Sequence, residues 1–185
     1  MARTKLIRRI CIALMAALCF VGTFINVPIP MPIGNTMIHL GNSLCLIAAL
    51  LLGGIGGGIA GGVGMALFDV SSAAFAVYAP FTFIQKFLAG FVCGKIAYMK
   101  GKNGESFKYN AVGAALGGLV NLIFAQINAV IVEHFIMGSN INAVFISNMS
   151  KLPVNIINMF IAVIVSLLIS TPVRYALEKH NIKLN

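Results

Sequence analysis

Charge is what this sequence has least of. Only 9% of its 185 residues are charged, and only four of those are acidic. A soluble domain carries about 25% charged residues. The deficit excludes a soluble enzyme, a disordered protein and a secreted disulfide scaffold. Tryptophan is absent, so any aromatic belt at a membrane interface rests on Tyr and Phe. No CxxC occurs: Cys11, Cys19, Cys45 and Cys93 all lie in apolar runs and read as small core hydrophobes. No His or Cys pair has metal-ligand spacing, so no metal is expected. HExxH, GxSxG and P-loop patterns are missing, and the few acidic residues form no obvious pair. An enzyme is not expected.

What is present is apolar: 59% of the residues are hydrophobic and the mean hydropathy is +0.98. A helical span needs about 20 such residues, so residues 1–185 read as one polytopic transmembrane domain with no room for a soluble one. The net charge of +9 does not imply nucleic acid. The basic residues sit in short clusters between apolar runs, as the positive-inside rule requires.

The first span, 10–26, follows Arg3, Lys5, Arg8 and Arg9. No small-x-small site follows it, so an uncleaved helix is expected. Residues 27–38 alternate Pro28, Pro30 and Pro32 with apolar residues, which favours extended backbone. From His39 to Ala76 the chain is almost continuously apolar, too long for one ordinary span. The Gly cluster at 53–58 is the natural break, and a break there puts all the large basic blocks on one side. Further spans are expected at 80–98, 109–133 and 151–173. The predicted fold is all-α: six transmembrane helices, both termini cytoplasmic, and a Pro-rich outer loop after the first helix. Lys86 and Lys151 are then the only Lys or Arg residues not on the cytoplasmic side.

Gly56, Gly58 and Gly61 formally match GxGxxG, but no soluble strand precedes them and no acidic residue follows at the dinucleotide spacing. Gly54, Gly58 and Gly62 are spaced by four, as are Gly90 and Gly94, and Gly113 and Gly117. Such faces let helix backbones approach closely in lipid. Ala13 and Ala17 share that spacing, and Ala16 widens the face. Packing inside the bundle and docking of a partner's helices both fit it.

The polar residues fall on one side. Asn35, His39, Asn42, Asp69, Gln85, Lys86, Gln126, Asn128, Lys151, Asn155 and Asn158 all map to the outer half of the spans. Asp69 and Lys86 lie at similar depth, roughly 12 and 9 Å from the outer end. A buried charge costs on the order of 3 kcal/mol, so either the two pair or they meet a ligand. Lys151, Asn155 and Asn158 share one helix face. The asymmetry describes an outward pocket closed below, not a through-going pore. Amide-rich walls with few charges suit a small, largely neutral polar molecule.

These residues resemble a known family. Ile38-His39-Leu40-Gly41-Asn42, Leu51-Leu52-Gly53-Gly54, Met65-Ala66-Leu67-Phe68-Asp69 and Ala79-Pro80-Phe81-Thr82-Phe83-Ile84-Gln85-Lys86, ending at Gly90, look like S components. These are the membrane-embedded substrate-binding subunits of energy-coupling factor (ECF) vitamin transporters. The branch resembled is that of riboflavin and hydroxymethylpyrimidine. The resemblance implies capture of a vitamin or precursor from outside with the first loop as lid. It implies docking through an AxxxA face, here Ala13 and Ala17, on a transmembrane coupling protein that works with two ATPases in a bacterial plasma membrane. ATP is then used by those partners, and no cofactor is expected on this chain. Thiamine-type members use Trp in the pocket, which is lacking here. Few aromatics are expected near the pocket, so hydroxymethylpyrimidine or a vitamin B6-like form is expected ahead of riboflavin. The alternative is a stand-alone secondary permease for a small polar metabolite. It would need a coupling-ion site and usually an internal repeat, and no repeat is evident.

Overall fold

The computed structural model describes residues 2–30 and 35–180. Pro32, Lys183 and the side chains of Arg3 and Asn35 lie outside what it describes. Five helices carry the chain: α1 (Ala2–Phe24), α2 (Gly41–Ser71), α3 (Ala79–Ala97), α4 (Phe107–Ala129) and α5 (Ile141–Lys179). All five are long and apolar enough to cross a membrane. A short antiparallel ribbon joins α1 to α2, formed by β1 (Asn26–Pro30) and β2 (Asn35–His39).

Among the described residues the ribbon is the one departure from helices and their connections. It accounts for the extended reading of the Pro-rich stretch. Leu40 N–H donates to Ile25 C=O just outside the Asn26–His39 pair, which makes that pair a non-hydrogen-bonded one. By alternation, Pro28 opposite Met37 and Pro30 opposite Asn35 occupy the same class of position. Their missing N–H groups therefore cost the ladder nothing.

α2 is not one straight helix but two helical segments joined across a kink. Gly53 alone has non-helical torsions, φ 76° and ψ 179°. A Cβ built on Gly57 would collide with the Ala49 main chain, one on Gly61 would strike Cys45, and one on Gly41 would lie 3.3 Å from Met65 Cε. These pairs are symmetric about Gly53. In a straight helix Gly41 and Met65 would be about 36 Å apart. The chain therefore reverses at Gly53 into two antiparallel arms, 41–52 and 54–71, of about 18 and 27 Å. The break expected across 53–58 is confined to one residue, and Gly54 to Gly58 already belong to the returning arm.

The first arm leaves its last carbonyls without helical partners, as any helix end does. Arg174 Nη2 donates to Leu50 O at 2.5 Å, Tyr98 Oη to Leu51 O at 2.5 Å, and Arg8 Nη2 to Leu52 O at 3.2 Å. Two guanidiniums at a helix C-terminus also oppose its negative dipole end. The N-terminal part of α1, the Gly53 turn, the end of α3 and the end of α5 thus meet at one end of the bundle. The ribbon and the Ser71–Tyr78 and 130–140 connections lie at the other.

The glycine faces are packing faces. A Cβ on Gly54, Gly58 or Gly62 would sit 2.7, 2.8 or 3.0 Å from the carbonyl oxygens of Phe91, Phe87 and Phe83 of α3. α4 repeats the arrangement, with Gly113 and Gly117 over Cys93 O at 2.6 Å and Ala89 O at 2.8 Å. Ala16 belongs to the same internal packing, because its carbonyl lies against Gly64. Ala13 and Ala17 are exposed. Of the three alanines expected to form one face, Ala16 is half-buried and the other two are open.

α4 runs into a single stretch of π-helix, Val130–Ile136, closed by Gly138 at φ 70°. α5 begins ten residues earlier than expected, at Ile141, because Asn140 caps it by accepting from Asn142 N–H at 2.9 Å.

Candidate functional site

At the ribbon end the helices enclose a cavity of about 540 Å³, adjoined on its inner side by a second of about 170 Å³. Small-molecule sites generally measure about 300–1,000 Å³. Each wall is placed by a feature already described. β2 contributes Met37 and His39, the Gly53 reversal brings Asn42 of one arm near Asp69 of the other, and α3 supplies Gln85 and Lys86. α5 presents Lys151, Asn155 and Asn158.

The inner wall is an amide network. Asn128 Nδ2 donates to Gln85 Oε1 at 2.8 Å, and Gln85 Nε2 donates to Asn121 Oδ1 at 3.0 Å. Lys86 Nζ donates to Asn121 Oδ1 at 2.5 Å and to Asn42 Oδ1 at 2.8 Å. Lys86 is buried, so its charge is met by two carbonyl dipoles, an arrangement a low-dielectric interior strengthens.

Of the two roles open to Asp69 and Lys86, the mutual ion pair is not formed. Among the described residues the ion pair within bonding distance is Lys151 Nζ to Glu133 Oε1, at 3.3 Å. Asp69 accepts from Thr82 instead. Tyr78 Oη donates to Glu133 Oε1 at 3.1 Å, so the cavity mouth is held by a Tyr–Glu–Lys cluster. Glu133 sits in the π-helical stretch, and π-segments recur at functional sites.

The ribbon is tied down from α5. Asn158 Nδ2 donates to Met37 O at 3.1 Å. Burial and the neighbouring Lys86 ammonium push the His39 imidazole down to about 3, which keeps it neutral.

Of the eleven expected pocket residues, His39, Asn42, Asp69, Gln85, Lys86, Lys151, Asn155 and Asn158 line the two cavities. Gln126 and Asn128 do not. Asn128 stands behind Gln85 and orients it, and Gln126 accepts from Asn148 through its main-chain carbonyl at 3.5 Å. The sequence reading missed Asn121, Glu133, Thr82, Phe75 and Tyr78, all of which line a cavity wall. Glu133 carried a signal: it is one of only four acidic residues and ends the fifth apolar run. The two aromatics carried none, because their placement depends on the 3₁₀ turn Ala76–Tyr78.

Residues 4–175 match the family described as ECF-type riboflavin transporter, S component. The chain belongs to that family. Its membership and its five apolar helices make it a multi-pass membrane protein of a transporter family, not of an enzyme family. A curated protein from Pyrococcus woesei, named "Uncharacterized protein in gap 3'region", is 32% identical over 101 residues. That match covers 55% of this chain and 64% of the relative.

Proposed function

We propose that the chain captures a flat, heterocyclic, vitamin-type molecule in the ribbon-end cavity and presents it to an ATP-driven coupling module. The observation that carries this reading is the one-sided cavity. It is walled by amides, floored by glycine-packed helices and covered by a ribbon pinned from α5. The lining charges balance, Asp69 and Glu133 against Lys86 and Lys151, which favours a ligand without net charge.

Riboflavin is the first candidate. A single-ring ligand leaves most of 540 Å³ empty, and Phe75 and Tyr78 supply the aromatic surface a flat ring system needs. This reverses the order expected from the few aromatics near the pocket, under which hydroxymethylpyrimidine or a B6-like form came first. The reversal at Gly53 returns the chain toward the ribbon end, which is the parity that a six-segment layout with both termini on one side needs. The basic end of the bundle, with Arg8, Lys95, Lys100, Lys102, Lys108 and Arg174, is then cytoplasmic, and the cavity opens outside a bacterial plasma membrane. The exposed Ala13–Ala17 face suits close approach of a coupling protein's helix. ATP belongs to two partner ATPases, and this chain carries no cofactor in this reading.

Native mass spectrometry of the detergent-purified chain, alone and with riboflavin, hydroxymethylpyrimidine and pyridoxine, tests it. One specific adduct is the expected result. A folded protein with no adduct refutes the reading. Substrate uptake in vesicles without any ATPase would instead establish a stand-alone permease.

A further inference from the structure

We propose that the outer face of α3 is a binding site for one anionic phospholipid, with the headgroup at Lys95 and an acyl chain along Phe83, Phe87 and Phe91. The proposal is independent of what the cavity binds. It needs only that the chain spans a membrane.

The three phenylalanines recur at every fourth residue, so they stand on one face of α3. Their rings form a ladder. Neighbouring centroids are 6.2 and 6.0 Å apart, and the ring planes lie within 19° and 12° of parallel. The glycines of the returning arm of α2 hold this ladder in place. Ring carbons of Phe83, Phe87 and Phe91 lie 3.1, 3.0 and 3.3 Å from where a Cβ would sit on Gly62, Gly58 and Gly54. Each ring therefore fills space that a side chain of α2 would have taken, and close packing fixes its orientation. The residues that directly follow these glycines are Ile55, Ile59 and Val63, and all three are exposed. Phe83 is itself 38% exposed.

Charge identifies the occupant. Lys95 stands one turn beyond Phe91 and is exposed. Its ammonium lies 5.5 Å from the Phe91 ring centroid, within cation–π range. Among the described residues it has no acidic partner. Lys100 and Lys102 follow, and both are exposed. From Phe83 to Lys95 the helix rises about 18 Å, against about 15 Å for half of a bilayer core. The ladder thus runs the depth of one leaflet and ends in a cation at headgroup level, where basic residues attract anionic lipid.

A partner's helix suits this face poorly. Close approach of helices in lipid needs small residues, and the exposed side chains here are Phe, Ile and Val. A flexible acyl chain can follow such a ridged surface.

The test uses the full chain in detergent with equal amounts of dioleoyl phosphatidylglycerol and dioleoyl phosphatidylcholine, read by native mass spectrometry. Wild-type protein is expected to retain one phosphatidylglycerol at least about fivefold in preference to phosphatidylcholine. Lys95→Gln changes an exposed residue and is expected to keep the fold, checked by circular dichroism, while losing the preference. Lys179→Gln, an equal loss of charge on α5, should keep the preference. Dihexanoyl phosphatidylglycerol, with the same headgroup and short chains, should be retained less firmly than the dioleoyl form. Phe87→Leu should narrow that difference. Equal retention of the two dioleoyl lipids by wild type, or an undiminished preference in Lys95→Gln, overturns the site. An equal fall in Lys95→Gln and Lys179→Gln reveals a diffuse basic rim and overturns it as well. Equal retention of short and long chains refutes the role of the ladder. None of these failures touches the vitamin-binding reading, whose own test is the vitamin adduct.

Discussion

Replacing Gly53 by Ala tests the turn on which the fold and the site both depend. Gly53 sits at φ 76° and ψ 179°, a region that is essentially glycine-only and costs an L-residue about 1–3 kcal/mol. Crowding adds nothing, because the nearest atoms to an added Cβ belong to the Tyr98 ring at 3.6 to 3.7 Å, ordinary contact distance. The expected loss is therefore the backbone strain alone, about 1–3 kcal/mol, or roughly fivefold to 150-fold in the unfolding equilibrium. Gly57→Ala provides the contrast. Its torsions are helical, but its Cβ would strike the Ala49 main chain, so it acts by forcing the arms apart. Reversible SDS unfolding in mixed micelles measures both. Riboflavin affinity should fall in Gly57→Ala, where the spacing of Asn42 and Asp69 changes, more than in Gly53→Ala. Wild-type stability in Gly53→Ala would refute the reversal, because a straight helix accepts Ala better than Gly.

Three further perturbations reach the site itself. Glu133→Gln leaves Lys151 unpaired at positions only 16% and 15% exposed. It should destabilise the fold by about 1–3 kcal/mol, less than a fully buried pair would. A Glu133→Gln, Lys151→Met double variant should recover part of that loss, and strict additivity in a double-mutant cycle would show the pair to be uncoupled. Asn158→Ala releases the ribbon, so hydrogen exchange across 26–39 should quicken by a factor corresponding to about 0.5–1.5 kcal/mol; unchanged protection argues against the tether. His39 has its pKa pushed down to about 3, below that of an unfolded imidazole near 6.5. The unfolded chain therefore takes up a proton that the folded chain refuses. Stability should be level above about pH 6.5 and fall below it by up to about 1.4 kcal/mol per pH unit. His39→Gln should flatten that slope, and coincident pH profiles for the two proteins would disprove the neutral burial.

Much of the fold was legible because membrane insertion acts on composition. Apolar run lengths located α3, α4 and the end of α1 to within a few residues, since spans are selected by hydropathy and length, whereas α1 begins eight residues before the expected span. The glycine spacing of four announced the close α2–α3–α4 contacts, because periodicity places those residues on one face before any neighbour is known. Alternating prolines announced the ribbon through their own torsional limits. The start of α5 was not legible, because 141–150 is polar enough to read as a loop and is helical through its Asn140 cap and its packing.

Sequence by itself determined that this is a membrane protein with its polar groups gathered toward one end, because burying charge and amide groups in lipid restricts where they can occur. Tertiary structure decided which of those groups meet. Depth along a helix placed Asp69 level with Lys86, but rotation about the helix axes gave Lys86 to Asn42 and Asn121 and gave Glu133 to Lys151. Azimuth between helices is set by packing of the small-residue faces, and that is a property of the assembled bundle, not of any one span.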